Sequence, residues 1–496
     1  MSNLIVETPK GPVQGYDNGR CHFFGGIPFA ASTAGRQRFR PPQPVEPWQE
    51  VRSAVHPGPM ISQNPTRFEP FLGPDPQPQS EDGLSVNVWT PVADNAKRPV
   101  YVWIHGGAYI SGSGSFPLYD GTCFAHNGDI VVVGLNYRLG DRGYLQLNHI
   151  DESYAGSGNA GLLDQVAALE WVRDNIAAFG GDPDHVTVGG QSAGGGAITG
   201  LMMMPAARNL FHRAIIQSVS LMSFRDLALA EYATETFMAA VGATEIAELE
   251  AAPIETLLAA QRTTLRTRPP TGKALFQPVI DGTVLKKDIL PSARDGEMMD
   301  IPIMIGITTE EWKPFQFFMN PHDVPKSEAA MAALFDSLAG DGAGLVAAYR
   351  EMVGALEPEQ LFAAAMSDWR WRQGTLELQS ILSDKQDIYA YEFSWKSPTN
   401  EGSLGAGHCV DIPFCFDNMV TPSTPYLLGP EAPQVLADTM HSSWCNFIRG
   451  GAPASDGTGD WPCYDQERRA TMMFDTASKL EDDPLAKRRL YWENRK

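Results

Sequence analysis

The chain has 496 residues, with 59 acidic against 38 basic side chains, a formal net charge of −21 and a hydrophobic share of 43%. That length supports a large core and that hydrophobic share excludes wholesale disorder. So acidic a balance offers no basic patch for phosphates, which argues against nucleic acid as a partner, and no apolar run approaches the roughly 18 residues of a membrane-spanning helix.

In chain order, the first ten residues carry no basic segment and only a short apolar run, so no signal peptide is expected and the cytoplasm is the expected location. Short β-rich runs follow at 83–89, 100–104 and 130–135. The last two are nearly continuous in apolar residues, the pattern of strands buried on both faces. Leu162, Leu163, Val166, Leu169 and Val172 then recur at helical spacing, with Asp164, Gln165 and Glu170 between them, which predicts an amphipathic helix. A strand at 186–188 and a helix through 197–202 come next. Strand, helix and strand in succession predict an α/β protein with a mostly parallel sheet covered by helices. Residues 222–270 and 325–385 read as helical, 301–307, 388–393 and 471–474 as further strands. With no repeat and no low-complexity linker, residues 1–496 read as one domain carrying helical insertions at about 222–285 and 320–385.

Between the strand at 186–188 and its following helix lies Gly190-Gln191-Ser192-Ala193-Gly194, the G-x-S-x-G pattern of a nucleophile elbow. The pattern alone is weak, but a β-branched run before it and a helix-competent segment after it are what a strained strand-to-helix turn requires. An acyl-transfer serine also needs donors for the oxyanion that develops on the carbonyl. His105-Gly106-Gly107-Ala108 follows the strand at 100–104 and supplies such a turn, with the N–H of Ala193 as the other half of the hole. His105 itself also fits an ordinary core or loop histidine. The six cysteines are sparse and lack CxxC spacing, so free thiols are expected and neither a disulfide scaffold nor a metal site.

These motifs, with several others, resemble the type-B carboxylesterase and cholinesterase-like family of α/β-hydrolases, in particular its bacterial para-nitrobenzyl esterase-like branch. The resemblance runs from about Gly11 to Asp475. It is carried by Phe24-Gly25-Gly26-Ile27-Pro28-Phe29-Ala30, Arg38-Phe39-Arg40-Pro41-Pro42, Ser80-Glu81-Asp82-Gly83-Leu84-Ser85-Val86-Asn87-Val88-Trp89, Asn136-Tyr137-Arg138-Leu139-Gly140, Gly158-Asn159-Ala160-Gly161-Leu162-Leu163-Asp164-Gln165 and Trp461-Pro462-Cys463-Tyr464. It implies a triad in the order serine, acid, histidine. Gly306-Ile307-Thr308-Thr309-Glu310-Glu311 matches the acid segment and Gly405-Ala406-Gly407-His408-Cys409-Val410-Asp411-Ile412-Pro413-Phe414 the histidine segment, so the triad implied is Ser192, Glu311 and His408. The hole is then Gly107, Ala108 and Ala193, and Ser218 is a partner steadying Glu311. Glu310 and Asp411 remain rival acids, Asp411 being expected to hold the histidine loop. Phe315 and Phe318, just past the acid, are candidates for the substrate pocket.

The sequence departs from the family pattern in four places. Gln191 stands where a glutamate is common, removing a negative charge beside the nucleophile, and is expected to alter the pH profile. Trp312 and Val219 replace glycines, and Ile61 and Gly83 stand where secreted members carry cysteines. The function implied is hydrolysis of uncharged carboxylic esters of small to medium size through an acyl-enzyme, with no metal or organic cofactor. Alternatives are a carbamate or amide hydrolase on the same triad, or a non-catalytic cholinesterase-like binding protein. No motif sets an oligomeric state, and a monomer accommodates everything above.

Overall fold

A computed structural model describes residues 3–66, 78–267, 273–319 and 322–495. Its frame is a 13-stranded sheet. In chain order the strands are β1 (Asn3–Thr8), β2 (Gly11–Asp17), β3 (His22–Pro28), β4 (Arg52–Ser53), β5 (Met60–Ile61), β6 (Gln79–Ser80), β7 (Ser85–Thr90), β8 (Arg98–Ile104), β9 (Val131–Leu135), β10 (Gly181–Gln191), β11 (Arg213–Gln217), β12 (Ile303–Thr308), β13 (Ile388–Phe393), β14 (Ala470–Phe474) and β15 (Lys479–Asp482). They lie in the order β1-β2-β3-β7-β9-β8-β10-β11-β12-β13-β14-β15, with β4 beside β2, while β5 and β6 pair separately. From β9 through β14 every neighbouring pair is parallel, and the two edges are antiparallel apart from the short parallel pairing of β4 with β2.

The sequence predicts why this sheet has two different faces. Alternate residues of a strand point to opposite sides. Val100, Val102 and Ile104 of β8, Val131, Val133 and Leu135 of β9 and Ile303 and Ile305 of β12 join one aliphatic core. Tyr101 and Trp103 of β8, Val132 of β9, Met304 of β12 and Tyr389, Tyr391 and Phe393 of β13 join a second, richer in aromatic rings. Helices cover both faces, and the order of strand addition reverses at β8, with β9 added on one side of it and β10 on the other. In open α/β sheets the crevice at the carboxyl ends beside such a switch point is where ligands bind.

The segment expected to be helical at 222–270 forms Leu227–Val241, Ile246–Ala251 and Ile254–Leu265. Asp226 caps the first, accepting from the Leu229 N–H, and Gly242 ends it at φ 81°. The stretch at 325–385 forms Glu328–Ala339, Gly342–Val353, Pro358–Ser367 and Gln373–Leu382 around its own small core of Met331, Phe335, Leu345, Tyr349, Leu361 and Phe362. Between the last two helices, Asp368–Arg372 is wound as a π-turn. Among the described residues no single helix is long and apolar enough to cross a membrane.

One expectation is corrected in part. The helix Ala160–Asn175 keeps a solvent-facing stripe at Glu170, Arg173 and Asp174, but Asp164 and Gln165 are fully buried instead of facing water. Asp164 receives three N–H groups of Arg138: Nε at 2.8 Å, Nη2 at 2.6 Å and the backbone N at 2.9 Å. The turn that follows β9 therefore lies over the helix face that carries Asp164. Arg38 and Glu81, from two more of the family motifs, meet in the same bidentate manner at 2.7 Å.

Candidate active site

The carboxyl ends of three parallel strands, β8, β10 and β12, supply much of the site. β10 ends at Gln191 and the helix Ala193–Met203 begins two residues later, leaving Ser192 alone in the turn at φ 60° and ψ −120°. A positive φ of this kind is costly for a side-chain-bearing residue and persists only where the surroundings hold it. They do so through a Ser192 N–H bond to the Gln217 carbonyl at 2.9 Å and by close backbone packing. A Cβ at Gly194 would lie 2.0 Å from the Ile104 carbonyl oxygen and one at Gly190 2.7 Å from it, so neither position admits a side chain. The helix that starts at Ala193 leaves its first N–H groups without intrahelical partners, beside the Ser192 side chain.

β8, next in the sheet, ends at Ile104 and opens into the second turn. Gly107, Ala108 and Tyr109 all have positive φ, at 113°, 55° and 63°. The Gly107 carbonyl accepts from Ile110 and Ser111, while the N–H groups of Gly107 and Ala108 have no acceptor among the described residues. His105 is structural. It is buried, stacked on Tyr137 at 4.4 Å, and Nδ1 lies 2.8 Å from the Gly106 carbonyl. Burial pulls its pKa down to about 4, so it stays neutral.

β12 ends at Thr308, and the loop after it folds Glu311 inward. Glu311 Oε1 accepts the Thr308 N–H at 2.9 Å and Oε2 lies 2.5 Å from His408 Nδ1, with both side chains buried. A carboxylate on Nδ1 fixes the tautomer of a neutral imidazole, leaving Nε2 as an acceptor. Nε2 lies 3.1 Å from Gln191 Nε2. The imidazole is flanked by Phe315 at 5.0 Å and Trp371 at 5.3 Å, two rings stacked on each other. Trp371 comes from the π-turn and was not singled out in the sequence; nothing in the local spacing marks it.

The neighbouring acids have other partners. Glu310 is paired with Lys313 at 2.9 Å and Lys396 at 3.6 Å and accepts from the Ala406 N–H. Burial raises its pKa, but the lysines and that N–H outweigh it and the net shift is downward. Asp411 is buried at the start of the helix Ile412–Phe416 and accepts from Gln217 Nε2 at 2.9 Å. Burial pushes its pKa up to about 6, partly opposed by that bond, with Glu311 adding to the rise.

Ser218 lies at φ 52° with its N–H on the Gly306 carbonyl, and its hydroxyl has no hydrogen-bond partner among the described residues. The expected bond from Ser218 to Glu311 is therefore not made here; the backbone of Thr308 donates instead. Trp312 stacks on Phe315 and bonds through its N–H to Ser367 Oγ. Ile61 and Gly83 adjoin: a Cβ at Gly83 would meet Ile61 Cδ1 at 3.0 Å. All six cysteines are free thiols. The side chain of Phe318 lies outside the described residues.

Ser192, His408, Gly107, Ala108 and Gln191 open on one cavity with about 790 Å³ of space including its mouth. Ile110, Tyr119, Pro314, Phe315, Leu404 and Leu427 make its walls largely apolar, and among the described residues no Asp, Glu, Lys or Arg lines it. Among the described residues no group of three or more His, Cys, Asp or Glu is placed to hold a metal ion.

A family model described as the carboxylesterase family matches residues 2–492. The chain belongs to the carboxylesterase family. It is a carboxylic ester hydrolase with the α/β-hydrolase fold. The carboxylesterase is 36% identical over 498 residues to the para-nitrobenzyl esterase of Bacillus subtilis (strain 168), covering 99% of this chain and 98% of that one. It is 33% identical to the phenmedipham hydrolase of Pseudarthrobacter oxydans, covering 95% of each. Its structure superposes on a carboxylesterase of Geobacillus stearothermophilus with a TM-score of 0.89 at 36% identity, covering 98% of this chain and 99% of that one.

Proposed function

We propose that the carboxylesterase hydrolyses uncharged carboxylic esters through an acyl-enzyme on Ser192, with His408 as the base and Glu311 as its acid. The observation that carries this reading is the single cavity in which Ser192, the His408 imidazole and two unclaimed N–H groups meet, with no acidic or basic side chain among the described residues of its walls. Ser192 Oγ attacks the ester carbonyl while His408 Nε2 takes its proton. The oxyanion is held by the N–H groups of Gly107, Ala108 and Ala193, each worth about 100- to 1,000-fold in rate by precedent for such donors. The imidazolium gives its proton to the leaving alcohol. A water then loses a proton to His408 and attacks the acyl carbon; the bond to Ser192 Oγ breaks as the imidazolium returns that proton to Oγ, and the acid is released. Glu311 stays ionised throughout, orienting the imidazole and stabilising its protonated form.

The same reading takes residues 1–496 as one α/β-hydrolase domain, supported by one sheet whose strands run from Asn3 to Asp482. It also takes a bacterial cytoplasm as the setting, supported by six free thiols and by the bacterial sources of the relatives just described. A fluorophosphonate probe tests the central claim. It should label Ser192 stoichiometrically and abolish ester hydrolysis, and Ser192→Ala should lose both labelling and about 10⁴-fold or more of kcat. Absence of labelling would return the chain to a binding role. With labelling secure, matched ester, carbamate and anilide substrates rank the leaving groups, and the ester should be fastest.

A further inference from the structure

The partner of the His408 base in this structure is a carboxamide, and that carboxamide has a second partner. Gln191 Nε2 lies 3.1 Å from His408 Nε2, and Gln191 Oε1 accepts from the Cys409 thiol at 3.4 Å. Gln191 is buried, Cys409 is half-buried on the cavity wall, and Gly106 leaves room for the amide, since a Cβ there would lie 3.2 Å from Gln191 Oε1. Both ends of the amide agree on its orientation. Glu311 claims the Nδ1 proton, so Nε2 of the neutral imidazole can only accept, and the NH₂ end must face it. Burial pushes the Cys409 thiol well above its ordinary range, so it remains S–H and donates, and the oxygen must face it.

We propose that Cys409 is a positioning residue: its thiol pins the Gln191 carboxamide so that the amide N–H caps His408 Nε2 and holds the base neutral until Ser192 takes that place. The proposal rests on the reading of Ser192, His408 and Glu311 as the reacting set. A bound N–H donor is compatible with a neutral imidazole and not with an imidazolium, whose own Nε2–H would face it. The capped base therefore resists protonation as the pH falls. Release the oxygen end of the amide, and it can rotate to present Oε1 to the imidazolium, which favours the charged form. A glutamate at 191 could only accept, and would do so always. The thiol is thus what keeps this glutamine from behaving like the acid that is common at its position.

The other groups around the imidazole are few. Glu311 touches Nδ1, Asp411 lies on the same loop, and the Phe315 and Trp371 rings cover the flanks. Glu310 is held outside by Lys313 and Lys396. Tyr119 across the cavity and Tyr391 behind the carboxylates are both pushed upward by burial and stay neutral. Asp411 titrates in the range of interest, so the readout is a difference between variants that all retain it.

The test is the pH profile of kcat/KM for a neutral ester, measured on protein whose Ser192 labelling has first been shown. In Cys409→Ala the acid limb should move to higher pH by about half to one unit, the size expected from one modest hydrogen bond. Cys409→Ser, which restores a donor, should keep the parental limb. Gln191→Met should move it in the same direction, and Cys409→Ala should add nothing in that background, because the thiol acts only through the amide. A Cys409→Ala limb that superimposes on the parent overturns the proposal, as does an equal shift with Met at 191. Should Cys409→Ala fold poorly, Gln191→Met and Cys409→Ser still decide it: parental limbs in both remove any role for the cap. Absent labelling of Ser192 in the parent would remove the reacting set, and the inference with it.

Discussion

Three carboxylates lie within a few residues of the triad positions, and environment assigns them different work. Glu311 is directed onto His408 Nδ1 by the Thr308 N–H, Glu310 is spent on two lysines, and Asp411 is buried against Gln217. Glu311→Gln should lose about 10³- to 10⁴-fold in kcat, since an amide offers the imidazole the wrong tautomer, whereas Glu310→Gln and Asp411→Asn should stay within about tenfold. Asp411→Asn should show itself in stability instead. Folding raises the Asp411 pKa from 3.8 to about 6, so its contribution is whole below the unfolded value and is lost as the pH rises through the folded one. Against the parent, Asp411→Asn should therefore gain about 2–3 kcal/mol on going from pH 4 to pH 8, read from urea melts at each pH. An unchanged difference across that range would mean the carboxyl is not destabilised by burial. At this scale the sequence was legible where backbone geometry is local. The elbow around Ser192 and the turn at Gly107 write their glycines in consecutive positions. Nothing local selects His408 from ten histidines, or reveals that Cys409 reaches Gln191 across 218 residues.

Elements were legible where burial is uniform. β8, β9, β12 and β13 are buried along nearly their whole length, so each reads as a run of β-branched and aromatic residues. β2 alternates between buried and half-buried positions, β11 keeps only Ala214-Ile215-Ile216 between the polar Arg213 and Gln217, and neither stands out. The helix Ala160–Asn175 misled for a different reason. Glu170 faces water, but the Arg138 turn covers Asp164, and sequence periodicity cannot tell a carboxylate facing water from one facing a guanidinium. That pairing gives an element-scale prediction. Asp164→Ala leaves a buried arginine without its counter-charge and should cost about 3–5 kcal/mol, with the loss of fold spreading from this helix to the β9 turn. Replacing both partners by apolar residues, Arg138→Met with Asp164→Leu, should cost clearly less than Asp164→Ala alone, because no charge is then stranded. Chemical denaturation of the single and double variants measures both, and equal losses would show that the ion pair itself, not the stranded charge, is what counts.

The whole molecule sets a negative field around a neutral cavity. The net charge of −21 is plain from composition alone, but whether any of it reaches the site is not, because that depends on which acids fold inward. Among the described residues none lines the cavity: Glu311 and Asp411 lie behind the imidazole, and the walls those residues form are apolar or carry uncharged polar groups. Charge therefore acts on substrates before they enter, through long-range repulsion of anions that is screened within about 10 Å at 0.1 M salt. A neutral ester feels none of this on approach, whereas an ester with a free carboxylate in its acyl part meets the field outside and an apolar wall inside. Only the first of these penalties is screened by salt. Raising ionic strength from about 10 mM to about 200 mM should thus increase kcat/KM several-fold for an anionic ester and leave a neutral ester of the same size unchanged. The anionic ester should remain the slower substrate at the higher salt, because the apolar walls offer its carboxylate no partner. Equal salt responses for the two esters would detach the surface charge from substrate choice, and a faster anionic ester at high salt would contradict the uncharged lining as the basis of selection.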